Sequence, residues 1–456
     1  MKVFNTLSGT KEEFVPRGNE VKMYVCGVTP YDDSHIGHAM SYVIFDVIRR
    51  YLQFKGYKVK YVQNITDIDD KLIDRAGKLG SSVSELAGRF TDSYFEDMDA
   101  LNVGRVDIYP RATEEIDKII EVIGGLIDKG YAYPAGGSVY FRVGSVPDYG
   151  KLSHRSLESM MAGGNVEFGK EKEHPLDFAL WKAAKEDEPS WESPWGEGRP
   201  GWHIECSVMS SDLLGDRFDI HGGGIDLIFP HHENEIAQSE AAGNRFANLW
   251  MHNGLLTINS EKMAKSAGNF ISIKDFLAKH KDADFLKLLF LNTHYRHPVD
   301  YTEAKIEEMR AQKERFVILL EKLKRVQGTG YRVQGKYSEN FRKRFEEAMD
   351  DDFNTPLALA ALFDLVTYAN KLTRSDELPG VKRLLVDLSS VLGLELSEAR
   401  ADILIGETEI MQLLKKREDA RSNRDFRSAD GIRKQLLERG VILEDTKDGT
   451  VWRRRV

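Results

Sequence analysis

The chain has 456 residues, 41% hydrophobic and 30% charged, with a formal net charge of −9. That length suits two to four domains at about 150 residues each. An acidic total excludes a uniformly basic nucleic-acid binder, no run approaches the ~18 apolar residues of a membrane span, and two cysteines, Cys26 and Cys206, exclude a disulfide-rich scaffold. The charge is uneven. Between Met411 and Val456, thirteen Lys/Arg stand against eight Asp/Glu, so this tail carries +5 and the remainder −14. A basic tail on an acidic body is compatible with a polyanion-binding module, and equally with a solvated helix face. The opening "MKVFNTLSGTKEEF" lacks the apolar core of a signal peptide, so a cytoplasmic chain is expected.

In chain order, "VKMYVCG" (21–27) reads as a buried strand and "IGHAMSYVIFDVIRRYLQFKG" (36–56) as a helix stopped by Gly56. A strand (57–66) and a helix (67–80) follow, the opening of a parallel α/β sheet. Helix 114–130 and a strand pair in 131–143 lead into a Gly-, Pro- and charge-rich stretch, so about 115–200 reads as an insertion. The sheet pattern returns as a strand, a glycine turn and a helix beginning near His231 (216–242), then a strand at 248–258. After Asp300 helices dominate: 302–326, then 354–372 with Thr355 as N-cap and Pro356 at N1. A basic helix (424–440) and a hairpin (441–455) end the chain.

Three groups of residues carry chemistry. "HIGH" follows a strand and opens a helix, where unpaired N–H groups and the helix dipole attract phosphate. His35 and His38 lie on neighbouring positions of one helix face, and Gly37 lets a flat ring or a phosphate approach the backbone. Each histidine can offer a donor to charge developing on a phosphate. "EKMAKSAGNF" (261–270) places Lys262, Lys265, Ser266 and Gly268 on a loop able to neutralise a triphosphate. Alone, either motif also describes ordinary capping or surface residues. In the third group, Cys26 ends the first strand, Cys206 sits in "GRPGWHIECSVM", and His231 and Glu235 are i and i+4 in "FPHHENE". Two thiolates, an imidazole and a carboxylate suit Zn²⁺, with His232 competing with His231. All four fall beside the C-terminal ends of predicted strands, where open α/β sheets place ligands.

Together and in this order, the first two motifs resemble the paired signatures of class I aminoacyl-tRNA synthetases. "MYVCGVTPYDDSHIGHA", "NITDIDDK", "GRPGWHIECS", "HGGGIDLIFPHHENEIAQSE", "KMAKSAGNF", "DDDFNTPLALAAL" and the tail "FRSADGIRKQLLERGVILEDTKDGTVWRR" resemble blocks of the cysteinyl-tRNA synthetase family across almost the whole chain. The resemblance implies a Rossmann-type parallel-sheet α/β catalytic domain with an insertion, then an α-helical bundle and a small mixed α/β module. The implied boundaries are 1–114 and 201–258 for the two catalytic halves, 115–200 for the insertion, 259–301 for the lysine loop and stem-contact region, 302–404 for the tRNA-binding bundle and 405–456 for the anticodon-binding module.

It also implies L-cysteine, ATP with Mg²⁺ and tRNA(Cys) as partners, one Zn²⁺ on Cys26, Cys206, His231 and Glu235, no membrane, and a monomer. His35, Gly37, His38, Lys262, Lys265 and Ser266 would hold ATP, with the two histidines and two lysines catalytic. Cys26, Thr66, Trp202 and Asp226 would face the substrate. In the tail, Trp452 would stack on a base or anchor a small core, and Arg453, Arg454 and Arg455 would contact phosphate or base edges. The family's zinc is held to bind the substrate thiol. A thiol with a pKa near ~8.5 is deprotonated by zinc, whereas serine's hydroxyl is a poorer ligand, so the short insertion need not edit.

Two positions depart from the family pattern. Ala264 replaces the first serine of KMSKS, and Met40 replaces the arginine usual after "HIGHA". Two other readings share the motifs: a ligase joining cysteine to an amino-sugar in thiol biosynthesis, and a catalytically silent tRNA- or nucleotide-binding paralogue. The full basic tail argues against the first. The retained histidines, lysines and four metal-type residues argue against the second.

Overall fold

A computed structural model of the chain describes residues 1–162, 171–263, 268–324, 336–372, 377–396, 407–446 and 449–454. Two short strands, β1 (Lys2–Asn5) and β2 (Thr10–Glu13), precede a β–α–β unit of β3 (Glu20–Val28), α1 (Ile36–Phe54) and β4 (Lys58–Ile65). Helices α2 (Asp70–Leu79), α3 (Val83–Ala100) and α4 (Ile116–Asp128) follow. Then come β5 (Ala132–Ala135), β6 (Ser138–Phe141), α5 (Leu157–Ala162), β7 (Phe178–Ala183) and β8 (Gly198–Pro200), whose four strands form an antiparallel sheet in sequence order.

The chain returns to the first sheet through α6 (Trp202–Leu214), β9 (Arg217–Gly224), α7 (Glu233–Ala242) and β10 (Phe246–Asn253). Next are β11 (Leu256–Ile258), β12 (Glu261–Lys262), α8 (Ile273–His280), α9 (Ala283–Leu291) and β13 (Val299–Tyr301). Helices α10 (Glu303–Lys324), α11 (Lys336–Asp350), α12 (Thr355–Lys371) and α13 (Leu378–Val391) pack together, and α14 (Glu407–Ser422), α15 (Phe426–Glu438), β14 (Val441–Thr446) and β15 (Gly449–Arg454) form the tail.

The main sheet has the order β10-β9-β3-β4, all parallel. Such strands are covered on both faces, which is why β3 reads as an unbroken apolar run, buried from Met23 to Cys26. The sheet grows one way from β3 to β4 and the other way to β9 and β10. This reversal opens a crevice at the strands' C-terminal ends. Cys26, His221 and His252 lie on β3, β9 and β10 at that end.

Three element boundaries differ from expectation. α2 starts at Asp70, not 67, because the Asp69 carboxylate accepts from Lys71 N and caps the helix there. The N-cap of α12 is Asn354, not Thr355: Asn354 Oδ1 accepts from Leu357 N at 3.2 Å and Thr355 is already helical. The strand expected over 248–258 is two strands. Gly254 N donates to Tyr295 O at 2.8 Å, which draws the chain off the sheet between them.

One apolar cluster runs from under α1 (Phe45) through α9 (Leu289) into α10, α12 and α13 (Phe316, Leu362, Leu385). A second joins α4 and the antiparallel sheet to α6 and α7 through Ile119, Phe141, Trp181, Ile204 and Ala237. The tail has its own small core of Ile410, Leu413, Leu414, Leu436, Val441 and Leu443. Among the described residues, no helix is long and apolar enough to cross a membrane.

Candidate active site and metal centre

His35 is the N-cap of α1. Its Nδ1 accepts from Gly37 N at 3.1 Å and His38 N at 3.2 Å, which leaves Nε2 as the N–H of the neutral ring. The expectation that Gly37 makes room for a ligand is met differently: a Cβ there would lie 2.9 Å from His35 Cε1 and Nδ1 and 3.2 Å from Met263 Cε. The His35 ring occupies that space and stacks on His38, centroids 3.7 Å apart. Burial, with His35 and Lys71 nearby, lowers His38 to about 3, so it is neutral at pH 7. Its Nδ1 is buried and has no hydrogen-bond partner among the described residues. The two sequence motifs meet here. Ile36 N donates to Ile271 O at 3.1 Å, Ile273 N donates to Ser34 O at 2.9 Å, and His35 packs edge-on against Phe270. Lys262 is exposed on β12, its carbonyl accepting from Asn269 Nδ2 at 3.1 Å. Lys265 and Ser266, with Ala264, lie outside the described residues.

The second cluster is fully buried. Cys26 Sγ lies 3.9 Å from Cys206 Sγ and 3.6 Å from Glu235 Oε1. Glu235 Oε1 lies 2.9 Å from His231 Nε2. The contacts run as an open ring, Cys206–Cys26–Glu235–His231. The metal–ligand lengths of a tetrahedral zinc site require S···S of about 3.8 Å, S···O of about 3.5 Å and N···O of about 3.3 Å. The first two spacings match within about 0.1 Å, and the third is shorter because imidazole and carboxylate hydrogen-bond directly. The donor atoms that all lie within 4.8 Å of one another are those of Cys26, His231, His232 and Glu235; Cys206 is outside that group and joins it through its 3.9 Å contact with Cys26 Sγ. His232 Nε2 faces Cys26 Sγ at 3.1 Å but is 3.9 Å from Glu235 Oε1. Both histidines therefore face the carboxylate, His231 the nearer, and His232 also contacts Cys26.

The protons in this cluster occupy the place of a cation. Burial and Cys206 push the Cys26 thiol well up, whereas the Cys26 hydrogen bond holds Cys206 at about 6, so the sulfurs share one negative charge. Burial opposes charge on His231, but Glu235 and Cys206 outweigh it and raise the imidazole to about 10. Burial would raise Glu235, yet His221 and His231 bring it to about 2.

Three histidines without an assigned role in the sequence surround this ring. His221 Nε2 holds Glu235 Oε2 at 2.7 Å, His203 Nδ1 meets His231 Nδ1 at 2.9 Å, and His252 Nε2 meets His232 Nδ1 at 2.8 Å. Burial keeps His203, His232 and His252 below the usual imidazole range, hence neutral. His232 can sit against β9 because Gly223 has no Cβ, which would fall 2.9 Å from the ring. Trp202, 37% exposed, stacks on His231 with centroids 4.2 Å apart, so one indole face covers that imidazole. Thr66 is buried just after β4, its Oγ1 accepting from Asn64 Nδ2 at 3.0 Å. Asp226 is exposed on the turn after β9, outside the buried cluster. Trp452 packs against the tail's small core, paired with Leu443 across the hairpin. Arg453 and Arg454 are on β15, and Arg455 lies outside the described residues.

Family models match three segments: the tRNA synthetases class I (C) catalytic domain over 13–311, the DALR domain over 344–397, and the cysteinyl-tRNA ligase anticodon binding domain over 407–453. A cysteine–tRNA ligase of Dehalococcoides mccartyi is 51% identical over 458 residues, covering 99% of both chains. The chain belongs to the cysteinyl-tRNA synthetase family. Cysteine–tRNA ligases of Thermodesulfovibrio yellowstonii and Geobacillus thermodenitrificans are 48% and 49% identical, with 99% or more of each chain covered. The fold is also that of Mycobacterium tuberculosis methionyl-tRNA synthetase in complex with methionyl-adenylate: TM-score 0.59 at 16% identity, over 82% of this chain and 89% of that one.

Proposed function

We propose that the chain joins L-cysteine to the 3′ end of tRNA(Cys) in two steps, through cysteinyl-adenylate. The cysteine carboxylate attacks the α-phosphate of ATP and pyrophosphate leaves; a terminal ribose hydroxyl of the tRNA then displaces AMP. Neither step needs a side-chain nucleophile, so catalysis is positioning and charge stabilisation. The observation that carries the reading is the buried cluster of Cys26, Cys206, His231 and Glu235 at the sheet crevice, with S···S and S···O spacings that suit zinc. These four residues would hold Zn²⁺, which when bound supplies a Lewis acid that prefers a thiolate to serine's hydroxyl.

Trp202 would cover the ligand set, and Thr66 and Asp226 would flank the substrate. His35 and His38 would donate to the phosphates. Lys262, Lys265 and Ser266 would carry the pyrophosphate side, with Mg²⁺ accompanying ATP. Trp452, Arg453 and Arg454 would contact the tRNA. Work in the cytoplasm belongs to the same reading. An amino-sugar acceptor is not favoured, because the match to the anticodon binding domain supports a tRNA acceptor.

The test is cysteine-dependent ATP–pyrophosphate exchange by zinc-loaded protein, followed by charging of tRNA(Cys). Exchange with cysteine but not serine, and charging that fails when 407–456 are removed, is the expected result. Lys265→Ala should cut adenylate formation by orders of magnitude. Absence of cysteine-dependent exchange in the zinc-loaded full chain refutes the proposal.

A further inference from the structure

A line of hydrogen bonds leaves the metal centre and ends on the chain's first residues. From Cys26 Sγ it passes to His232 Nε2 at 3.1 Å, from His232 Nδ1 to His252 Nε2 at 2.8 Å, and from His252 Nδ1 to Thr6 Oγ1 at 2.8 Å. Thr6 follows β1, and its backbone is fixed at both ends: Thr6 N donates to Trp250 O at 2.9 Å and Thr6 O pairs with His154 Nε2 at 2.9 Å. His232 and His252 are buried, so each ring nitrogen needs its partner.

We propose that Thr6 is a positioning residue for the metal centre: its hydroxyl donates the last hydrogen bond in the line, supporting the tautomers of His252 and His232 in which His232 presents Nε2–H to the Cys26 sulfur. The inference rests on reading Cys26 as a metal ligand. A metal-bound cysteine sulfur has no proton to give and only accepts. Its partner, His232 Nε2, must then carry hydrogen. A neutral imidazole has one donor and one acceptor, so His232 Nδ1 accepts from His252 Nε2–H and His252 Nδ1 accepts in turn. The last donor in the line is the Thr6 hydroxyl, the single group in it that can rotate to donate or accept. With the sulfur in its thiol form, every bond in the line could reverse, and the same hydroxyl would accept. Thr6 therefore supplies, from outside the cluster, the last hydrogen bond that the sulfur-imposed direction requires; without its hydroxyl the buried His252 Nδ1 loses its donor. Outer-shell partners of metal ligands commonly change metal affinity by about 10–100-fold, and Thr6 stands two rings away, at the lower end of that range.

The experiment compares Thr6→Val, which keeps the shape and removes the hydroxyl, with Thr6→Ser, which keeps the hydroxyl. Zinc-loaded full chains labelled with ¹⁵N at histidine report the ring tautomers by NMR, and a chelator reports zinc loss. Expected for Thr6→Val are mixed tautomers at His252 and His232 and zinc loss about tenfold faster; Thr6→Ser should match the unsubstituted protein in both. Thr6→Ala serves the same comparison should the valine fail to pack. Unchanged tautomers and zinc retention in Thr6→Val would overturn the proposal, as would a serine variant no better than the valine one. So would a wild-type chain that holds no zinc. Failure of cysteine-dependent exchange by zinc-loaded wild type refutes the functional reading alone, since tautomers and zinc loss are read without substrate.

Discussion

At Gly37, the space a side chain would take is filled by the ring of His35, which caps α1 and stacks on His38. Gly37→Ala should push that ring away, weakening a cap worth about 1 kcal/mol and misplacing both imidazoles. Cysteine-dependent pyrophosphate exchange should fall by about 10²–10³-fold, the scale of losing an aligned donor, while the melting temperature moves little. The metal ring makes a pH prediction. Zinc must displace the proton held on His231, raised to about 10, and that on Cys26, also raised. Affinity should therefore climb with pH through the neutral range and fall steeply below about 6, where Cys206 also gains a proton. Zinc competition at several pH values checks this, with proton release on binding as the second signal; pH-independent affinity would mean these groups are not the ligands. The four ring residues were legible in the sequence because two cysteines and an i, i+4 His/Glu pair sit beside predicted strand ends. His203, His221 and His252 were not. They come from three different elements, and only tertiary packing brings their ring nitrogens to the cluster. The signal for two of them was a polar residue within a buried strand, His221 in "HGGG" and His252 in "LWMHN".

The strands were readable because parallel strands are apolar on both faces, and α1 because its apolar spacing follows a helix. α6 and α9 escaped assignment for the opposite reason: both are buried nearly all round, α9 from Asp284 to Leu291, so neither shows a polar stripe. α3 was missed although Ser82 and Glu85 form a reciprocal capping box at its start. This helix also carries a testable cost. Asp97 is 2% exposed, its Oδ2 has no hydrogen-bond partner among the described residues, and burial raises the carboxyl to about 7; Lys274 opposes the shift, while Asp33 and Glu96 add to it. In the unfolded chain an Asp titrates near ~3.9. The folded state thus holds a proton that the unfolded state has lost, so stability declines as pH rises from about 4 to about 7 and is level above. Asp97→Asn removes that slope. The variant should be equal to wild type near pH 4 and more stable by on the order of 1–3 kcal/mol at pH 8, measured by urea unfolding. A stability difference that does not change with pH would show that Asp97 is not the group responsible.

Across the whole molecule, one polar junction between the sheet and the helical bundle, beside their shared apolar core, is a buried carboxylate. Asp352, fully buried between α11 and α12, accepts from Phe4 N at 2.8 Å and Tyr295 Oη at 2.9 Å through Oδ1, and from Arg296 Nε at 2.8 Å through Oδ2. Its own N–H donates to Lys2 O at 2.8 Å. Three stretches distant in sequence therefore meet there: β1 beside the sheet, the 294–296 turn after α9, and the start of α12. The "DDDFNTP" block was visible as a family signature, but nothing local in it says that its third Asp is buried, because every partner is more than fifty residues away. Asp352→Asn keeps one acceptor oxygen and loses the charge opposite Arg296, whose side chain is 28% exposed and so partly solvated. The expected loss is on the order of 2–4 kcal/mol, below the usual 3–5 for a wholly buried pair. The functional expectation is sharper than the stability one. If the carboxylate holds the bundle in register with the crevice, then under conditions where the variant stays folded, charging of tRNA(Cys) should fall by more than cysteine-dependent exchange, because only charging requires both parts at once. Equal losses in the two assays would assign Asp352 to the fold alone.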